Sequence, residues 1–205
     1  MTSLRYAIPA GRHRAEQVIE RSRFMCTLAH AESADAAQAF IREMNAEFPQ
    51  ATHNCWAFVA GAPGDANRVG MSDDGEPHGT AGRPMLTVLL HSGVGEIVAV
   101  VTRWYGGTKL GTGGLVKAYG GAVQLALETL ITIERVERTE VSVTIAYAAV
   151  TPLQRLLPLY EAEVLSVDFG GEVRYVVRLP VERLEAFRSA LGDATRGEAV
   201  VAPLS

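Results

Sequence analysis

From Thr102 to Lys117 the chain reads Thr-Arg-Trp-Tyr-Gly-Gly-Thr-Lys-Leu-Gly-Thr-Gly-Gly-Leu-Val-Lys, strand text that passes through five glycines into a helix start. A strand, a glycine-rich loop and a helix in direct succession require a layered α/β architecture, because each apolar face must be buried against another element. The neighbouring text fits. Cys55 to Ala60 is a buried strand closed by Gly61-Ala62-Pro63-Gly64, and a long loop runs from there to Pro84. Two further strands are predicted over Met85 to His91 and Glu96 to Arg103, joined by Ser92-Gly93-Val94-Gly95 at hairpin spacing. Strands are also expected at Tyr6 to Ile8 and Arg23 to Ala29. A helix from Ala34 to Glu47 is N-capped by Ser33 and carries the stripe Ala37, Phe40, Ile41, Met44. The helix after the glycine loop is predicted over Leu115 to Leu130, completing an α+β first domain.

The charged segment Glu134 to Arg138 breaks the apolar periodicity, which places a boundary between domains at 1–134 and 135–205. Beyond it, Val141, Val143, Ile145 and Tyr147 alternate with polar residues as a half-buried strand. A helix follows Thr151, with Pro152 in its first turn. Strands at Glu163 to Phe169 and Val173 to Leu179 are split by Gly170-Gly171. A helix over Val181 to Leu191 and a short strand over Ala199 to Val201 close the chain. The order is β-α-β-β-α-β, the ferredoxin-like arrangement, which hosts many functions and so implies none.

The 205 residues are 48% hydrophobic and 20% charged, a globular composition. No apolar run reaches the roughly 20 residues a membrane helix needs. Met1 to Arg14 lacks the apolar core and cleavage site of a secretory leader, and Cys26 and Cys55 form no Cys-x-x-Cys pair. A cytoplasmic protein with free thiols and no thiolate metal site is expected. The net charge of −4 argues against a generic nucleic-acid glove. Yet no carboxylate occurs between Glu96 and Glu128, where Arg103, Lys109 and Lys117 all fall. A polyanion site, if present, is local to that window.

There the main-chain amides of Gly106, Gly107, Gly111, Thr112, Gly113 and Gly114 can form an anion-binding nest at a helix N-terminus. Lys117 is predicted in the first helical turn, where a cation is disfavoured unless an anion sits beside it. The same glycines read equally as shaping a tight crossover. Neither a P-loop nor a dinucleotide fingerprint is present, and no cofactor is expected: Gly106 and Gly111 are followed by Thr112-Gly113, not Lys-Ser/Thr. Trp104 and Tyr105 at the loop mouth can stack on exposed bases or cap the core.

A second segment, Ser72-Asp73-Asp74-Gly75-Glu76-Pro77-His78-Gly79-Thr80-Ala81-Gly82-Arg83-Pro84, puts three carboxylates within four residues. They admit Mg²⁺, although the spacing matches no calcium loop. The favoured reading is internal, with the carboxylates pairing Arg103, Lys109 or the helix start to hold the glycine loop in place, and no metal. The third segment is His53-Asn54-Cys55-Trp56. A thiol beside an imidazole suggests a nucleophile, but a cysteine heading an apolar strand is usually packing. No catalytic residue is assigned.

His53 to Ala57, Ser72 to Pro77, Gly79 to Pro84 and Thr102 to Tyr119 resemble the signature blocks of the YigZ/IMPACT family, and Arg21-Ser22-Arg23-Phe24 is similar to that family's N-terminal block. The match runs over the whole chain. Trp104-Tyr105 stands where the family often has two smaller aromatics. The resemblance implies a first domain of the ribosomal protein S5 domain 2-type fold. It implies a ferredoxin-like second domain similar to the last domain of elongation factor G. It further implies a link to translational control, with RNA or the ribosome as partner. A non-catalytic regulator of translation is the leading expectation. The alternatives are a metal-dependent enzyme on a phosphorylated or nucleotide substrate and a protein-interaction module. The regulator partner of eukaryotic relatives, which binds an extra N-terminal domain, is not carried over.

Overall fold

The computed structural model describes residues 5–204, and the chain divides after Arg135 into two compact units. In chain order the first contains β1 (Arg5–Pro9), β2 (His13–Ile19), β3 (Ser22–His30), α1 (Ala34–Glu47), β4 (His53–Val59), β5 (Val69–Ser72), α2 (Gly82–Leu90), β6 (Ile97–Trp104), α3 (Gly111–Glu128) and β7 (Thr132–Val136). Five strands form one antiparallel sheet in the order β2-β3-β6-β4-β5, and β1 pairs with β7 apart from it.

The centre of the sheet is β6, whose residues Ile97 to Val101 are fully buried. A strand covered on both faces loses the alternating pattern and becomes continuously apolar. On one face Ile97, Ala99 and Val101 pack with Cys55, Ala57, Phe24 and Leu28 against Met85 and Leu89 of α2 and Leu115, Ala118 and Tyr119 of α3. On the other, Val98, Val100 and Phe58 meet Phe40, Ile41 and Met44 of α1. Ser33 Oγ accepts the Ala36 amide at 3.1 Å and starts α1 as its sequence predicts. Just before β6, Glu96 takes φ +47°, and its buried carboxylate accepts hydrogen bonds from Tyr6 Oη (2.7 Å) and Arg135 Nε (2.5 Å) and contacts His30 Nε2 at 2.8 Å.

The second unit contains β8 (Arg138–Ile145), α4 (Val150–Leu156), β9 (Glu163–Phe169), β10 (Val173–Pro180), α5 (Leu184–Ala194) and β11 (Val200–Pro203). Its antiparallel sheet has the order β11-β8-β10-β9. Alternate residues Val141, Val143, Ile145 and Val173, Tyr175, Val177 face Leu153, Phe187 and Leu191 of the helices. The architecture is therefore mixed α/β with several antiparallel sheets. No helix among the described residues is long and apolar enough to cross a membrane.

Several elements differ from the sequence expectation. Met85 to His91 is not a strand paired with β6 but most of α2. Its N-terminus is capped from a distance: Asp73 Oδ1 accepts the amides of Ala81 (3.0 Å) and Gly82 (2.8 Å), and Gly82, Met85 and Leu89 make the buried stripe. An apolar run of this length is ambiguous by periodicity alone, and the cap decides it. The long loop before Pro84 contains β5, while β2 and β7, written largely in polar and charged residues, are additional strands. Tyr147 lies in a 3₁₀ turn after β8, not in the strand. Most relevant to function, α3 starts at Gly111 instead of Leu115, so Lys117 is its seventh residue. It lies in the second turn, where the dipole of the helix end has faded, so its position carries no information about an anion.

Candidate functional site: a cleft beside the start of α3

Strand register builds the site. His53 of β4 is the cross-strand partner of Arg103 in β6, and Arg103 is in turn opposite Phe24 of β3. Because successive side chains alternate, His53, Cys55 and Arg103 share the face covered by α2 and α3, while Trp104 goes to the other. There Trp104 packs edge-on against Phe48 with the Arg23 guanidinium 3.7 Å above its ring. The pairing of Trp104 with Tyr105 at one mouth is thus corrected: only Tyr105, 46% exposed, reaches the cleft.

Arg103 does not offer its charge to solvent. It is 5% exposed, and Nη1 donates to Glu76 Oε1 at 2.5 Å, an oxygen that also accepts the Tyr119 hydroxyl at 2.7 Å. Ser22 Oγ lies 3.4 Å from Nη2, and Nε has no hydrogen-bond partner. Such a pair is held by geometry: two charges removed from water cost several kcal/mol each, about what their attraction and hydrogen bonds return. Burial, with Cys55 and Glu76 adding to it, pushes the Tyr119 hydroxyl far above the ordinary tyrosine range, so it stays a donor.

The acidic loop is turned inward. Asp73 Oδ2 accepts the Gly79 amide at 2.7 Å while Oδ1 caps α2. Burial opposes ionisation of Asp73, but these three amides, with His78 nearby, outweigh it and hold its carboxyl below the ordinary range. Asp74, at φ +44°, accepts the Asn54 amide through Oδ2 at 2.6 Å. Its carbonyl is 2.6 Å from His53 Nδ1. A carbonyl only accepts, so Nδ1 carries the proton and Nε2 is the nitrogen left for a ligand. Gly75 at φ +86° makes room for that ring, since a Cβ there would stand 3.3 Å from His53 Cε1. The Cys55 thiol donates to the Asp73 carbonyl at 2.9 Å, and burial pushes its pKa well above the ordinary thiol range. This is an inert packing thiol rather than a nucleophile.

Above the Arg103–Glu76 pair opens a cleft of about 460 Å³. Its floor is Glu76, Arg103 and Leu115, all buried; its walls are Thr52, His53, Pro77, Tyr105, Lys109 and the first residues of α3, Gly111 and Thr112. No side chain caps α3 and no carboxylate lies in its first turn, which leaves the amide end of the helix open. Lys109 is exposed, and among the described residues nothing pairs with it. Gly106 serves packing: a Cβ there would meet the Arg21 carbonyl oxygen at 1.9 Å. Gly107 and Gly111 take positive φ of 90° and 69°, and Gly113 and Gly114 lie within α3.

The cations do not all converge. Lys117 and Arg83 line a different cavity of about 600 Å³ between α2 and α3, floored by Gly120 and Gly121. Sequence reasoning missed Ser22, Thr52, Pro77, Leu115 and Tyr119. Ser22, Pro77, Leu115 and Tyr119 lie within the blocks that carry the family resemblance, but only the tertiary fold brings them and Thr52 to one site.

The geometry can be set beside known proteins. Residues 20–127 match the Impact N-terminal domain, and residues 143–198 match a domain of unknown function, DUF1949. The chain is 46% identical over 192 residues to the IMPACT family member YigZ of Escherichia coli, covering 94% of each. It is 34% identical over 189 residues to the IMPACT family member YvyE of Bacillus subtilis, covering 92% of this chain and 85% of that one. A crystal structure described as that of a hypothetical protein superposes with a TM-score of 0.70 at 43% identity, over 100% of this chain and 98% of the other. The Impact N-terminal match spans β3, the acidic loop, the cleft and most of α3, and with these relatives it places the chain in the IMPACT family.

Proposed function

We propose that this protein is a translation-associated, non-catalytic RNA- or ribosome-binding protein and that the cleft beside α3 is its contact. The observation that carries the reading is the meeting of unpaired Lys109 with the open amide end of α3 over a floor containing Arg103. Backbone N–H groups at a helix start favour phosphate oxygens, and Lys109 adds a mobile charge. Tyr105 at the rim supplies a face for a base. We further assign the first unit to the S5 domain 2-type fold and the second to the ferredoxin-like fold. The latter is supported by the strand–helix–strand–strand–helix–strand succession and the β11-β8-β10-β9 order.

Filter-binding titration against ribosomes, rRNA and tRNA tests the function. The expected result is an affinity that falls as salt rises, because neutralised phosphates release counterions. Lys109→Glu lowers it. Flat, salt-insensitive or absent binding across all three removes the reading, and partners retained on the protein after RNase treatment favour a protein-interaction module instead. Against the metal-dependent alternative stands the engagement of Asp73, Asp74 and Glu76 by amides, Arg103 and Tyr119.

A further inference from the structure

We infer that the cleft receives a terminal phosphomonoester of a nucleic acid strand, not an internal phosphodiester; this rests on the RNA reading above. Its size is the first reason. The cleft holds about 460 Å³, within the range that suits a single small ligand. Its floor is closed by the buried Arg103, Glu76 and Leu115, and its rim carries the exposed Tyr105 and Lys109.

Charge is the second reason. Glu76 already neutralises Arg103, so an incoming anion is met chiefly by Lys109 and the α3 amides of Gly111 and Thr112. A phosphodiester carries one negative charge, but a terminal phosphomonoester carries about 1.5 to 2 near neutral pH and has three free oxygens to share among these donors. Arg103, which lines the cleft floor, also retains a buried Nε–H that no group among the described residues accepts. Such a group is expected to find a partner, whether an ion or an ordered water. Tyr105 then stacks on the terminal base, which has no neighbour on one side.

The test uses the full chain and one oligoribonucleotide sequence in three forms, with a 5′-phosphate, with a 3′-phosphate and with hydroxyls at both ends, read by fluorescence anisotropy. One phosphorylated form is expected to bind about tenfold tighter than the hydroxyl form, and which one identifies the end. Lys109→Gln and Tyr105→Ala, both at exposed rim positions, reduce that ratio toward one while circular dichroism confirms folding. Adenosine monophosphate competes, and adenosine does not. Equal affinity for all three forms overturns the inference but leaves RNA binding standing. If no RNA binds yet adenosine monophosphate shifts the amide resonances of Gly111 and Thr112, the phosphomonoester site stands and the RNA reading falls. If neither binds, both fall.

Discussion

Glu76 and Arg103 are each less than a tenth exposed and share one short ion pair, so neither can lose its partner cheaply. Glu76→Gln is expected to destabilise the first unit by about 3 kcal/mol, the cost of a guanidinium left buried without a counter-charge. Adding Arg103→Met should recover part of that loss, which urea titration of both variants checks. Removing a single donor is milder: Tyr119→Phe costs about 1.5 kcal/mol. Two carboxylates also make stability depend on pH. Asp73 is held low by the Gly79, Gly82 and Ala81 amides against its burial, and Glu96 by His30, Tyr6 and Arg135 against its own. A depressed folded-state pKa gives a stabilisation that is complete above the ordinary carboxylate value and is lost as pH falls through the depressed one. Urea midpoints should therefore be flat above about pH 5 and decline progressively below about pH 4. Asp73→Asn should make that decline shallower.

At the scale of elements, the two glycines flanking the start of α3 make opposite predictions. Gly106→Ala drives a methyl into the Arg21 backbone and should cost about 3 kcal/mol or more. Gly113→Ala adds a methyl in open space inside a helix and should stabilise by up to about 1 kcal/mol. Thermal melts of the pair separate packing glycine from spare glycine, which the sequence alone does not. Helix α1 was legible because its Ser33 cap and its stripe of Ala37, Phe40, Ile41 and Met44 are local to it. Helix α2 was not, because Asp73 supplies its cap from the acidic loop. Asp73→Ala should accordingly cost about 1–2 kcal/mol and speed hydrogen exchange through Met85 to Leu90 more than in α1. The site was legible as segments and not as a place. The acidic loop, His53 and the glycine loop all stand out in sequence, but only the register pairing His53 with Arg103 brings them to one cleft. Period-two alternation, applied strictly to Arg103 and Trp104, already separates Trp104 from it.

At the scale of the molecule, the mixed α/β architecture accords with membership in the IMPACT family, and the cations of the glycine-loop window are divided between two cavities. Lys109 and Lys117 lie on different cavities, so they should differ in effect: charge reversal at Lys109 should change discrimination between strand ends. The pairing of β1 with β7 has a separate consequence. The strand that opens the first unit lies against the one that closes it, with Arg5 Nη1 3.1 Å from Glu134 Oε2 and the Ala10 amide 2.9 Å from the Ile131 carbonyl. A module whose two ends meet in this way tolerates being spliced or re-joined. The unit should accept circular permutation, its old ends bridged by a short glycine linker and new ones opened at Gly93, and still melt cooperatively.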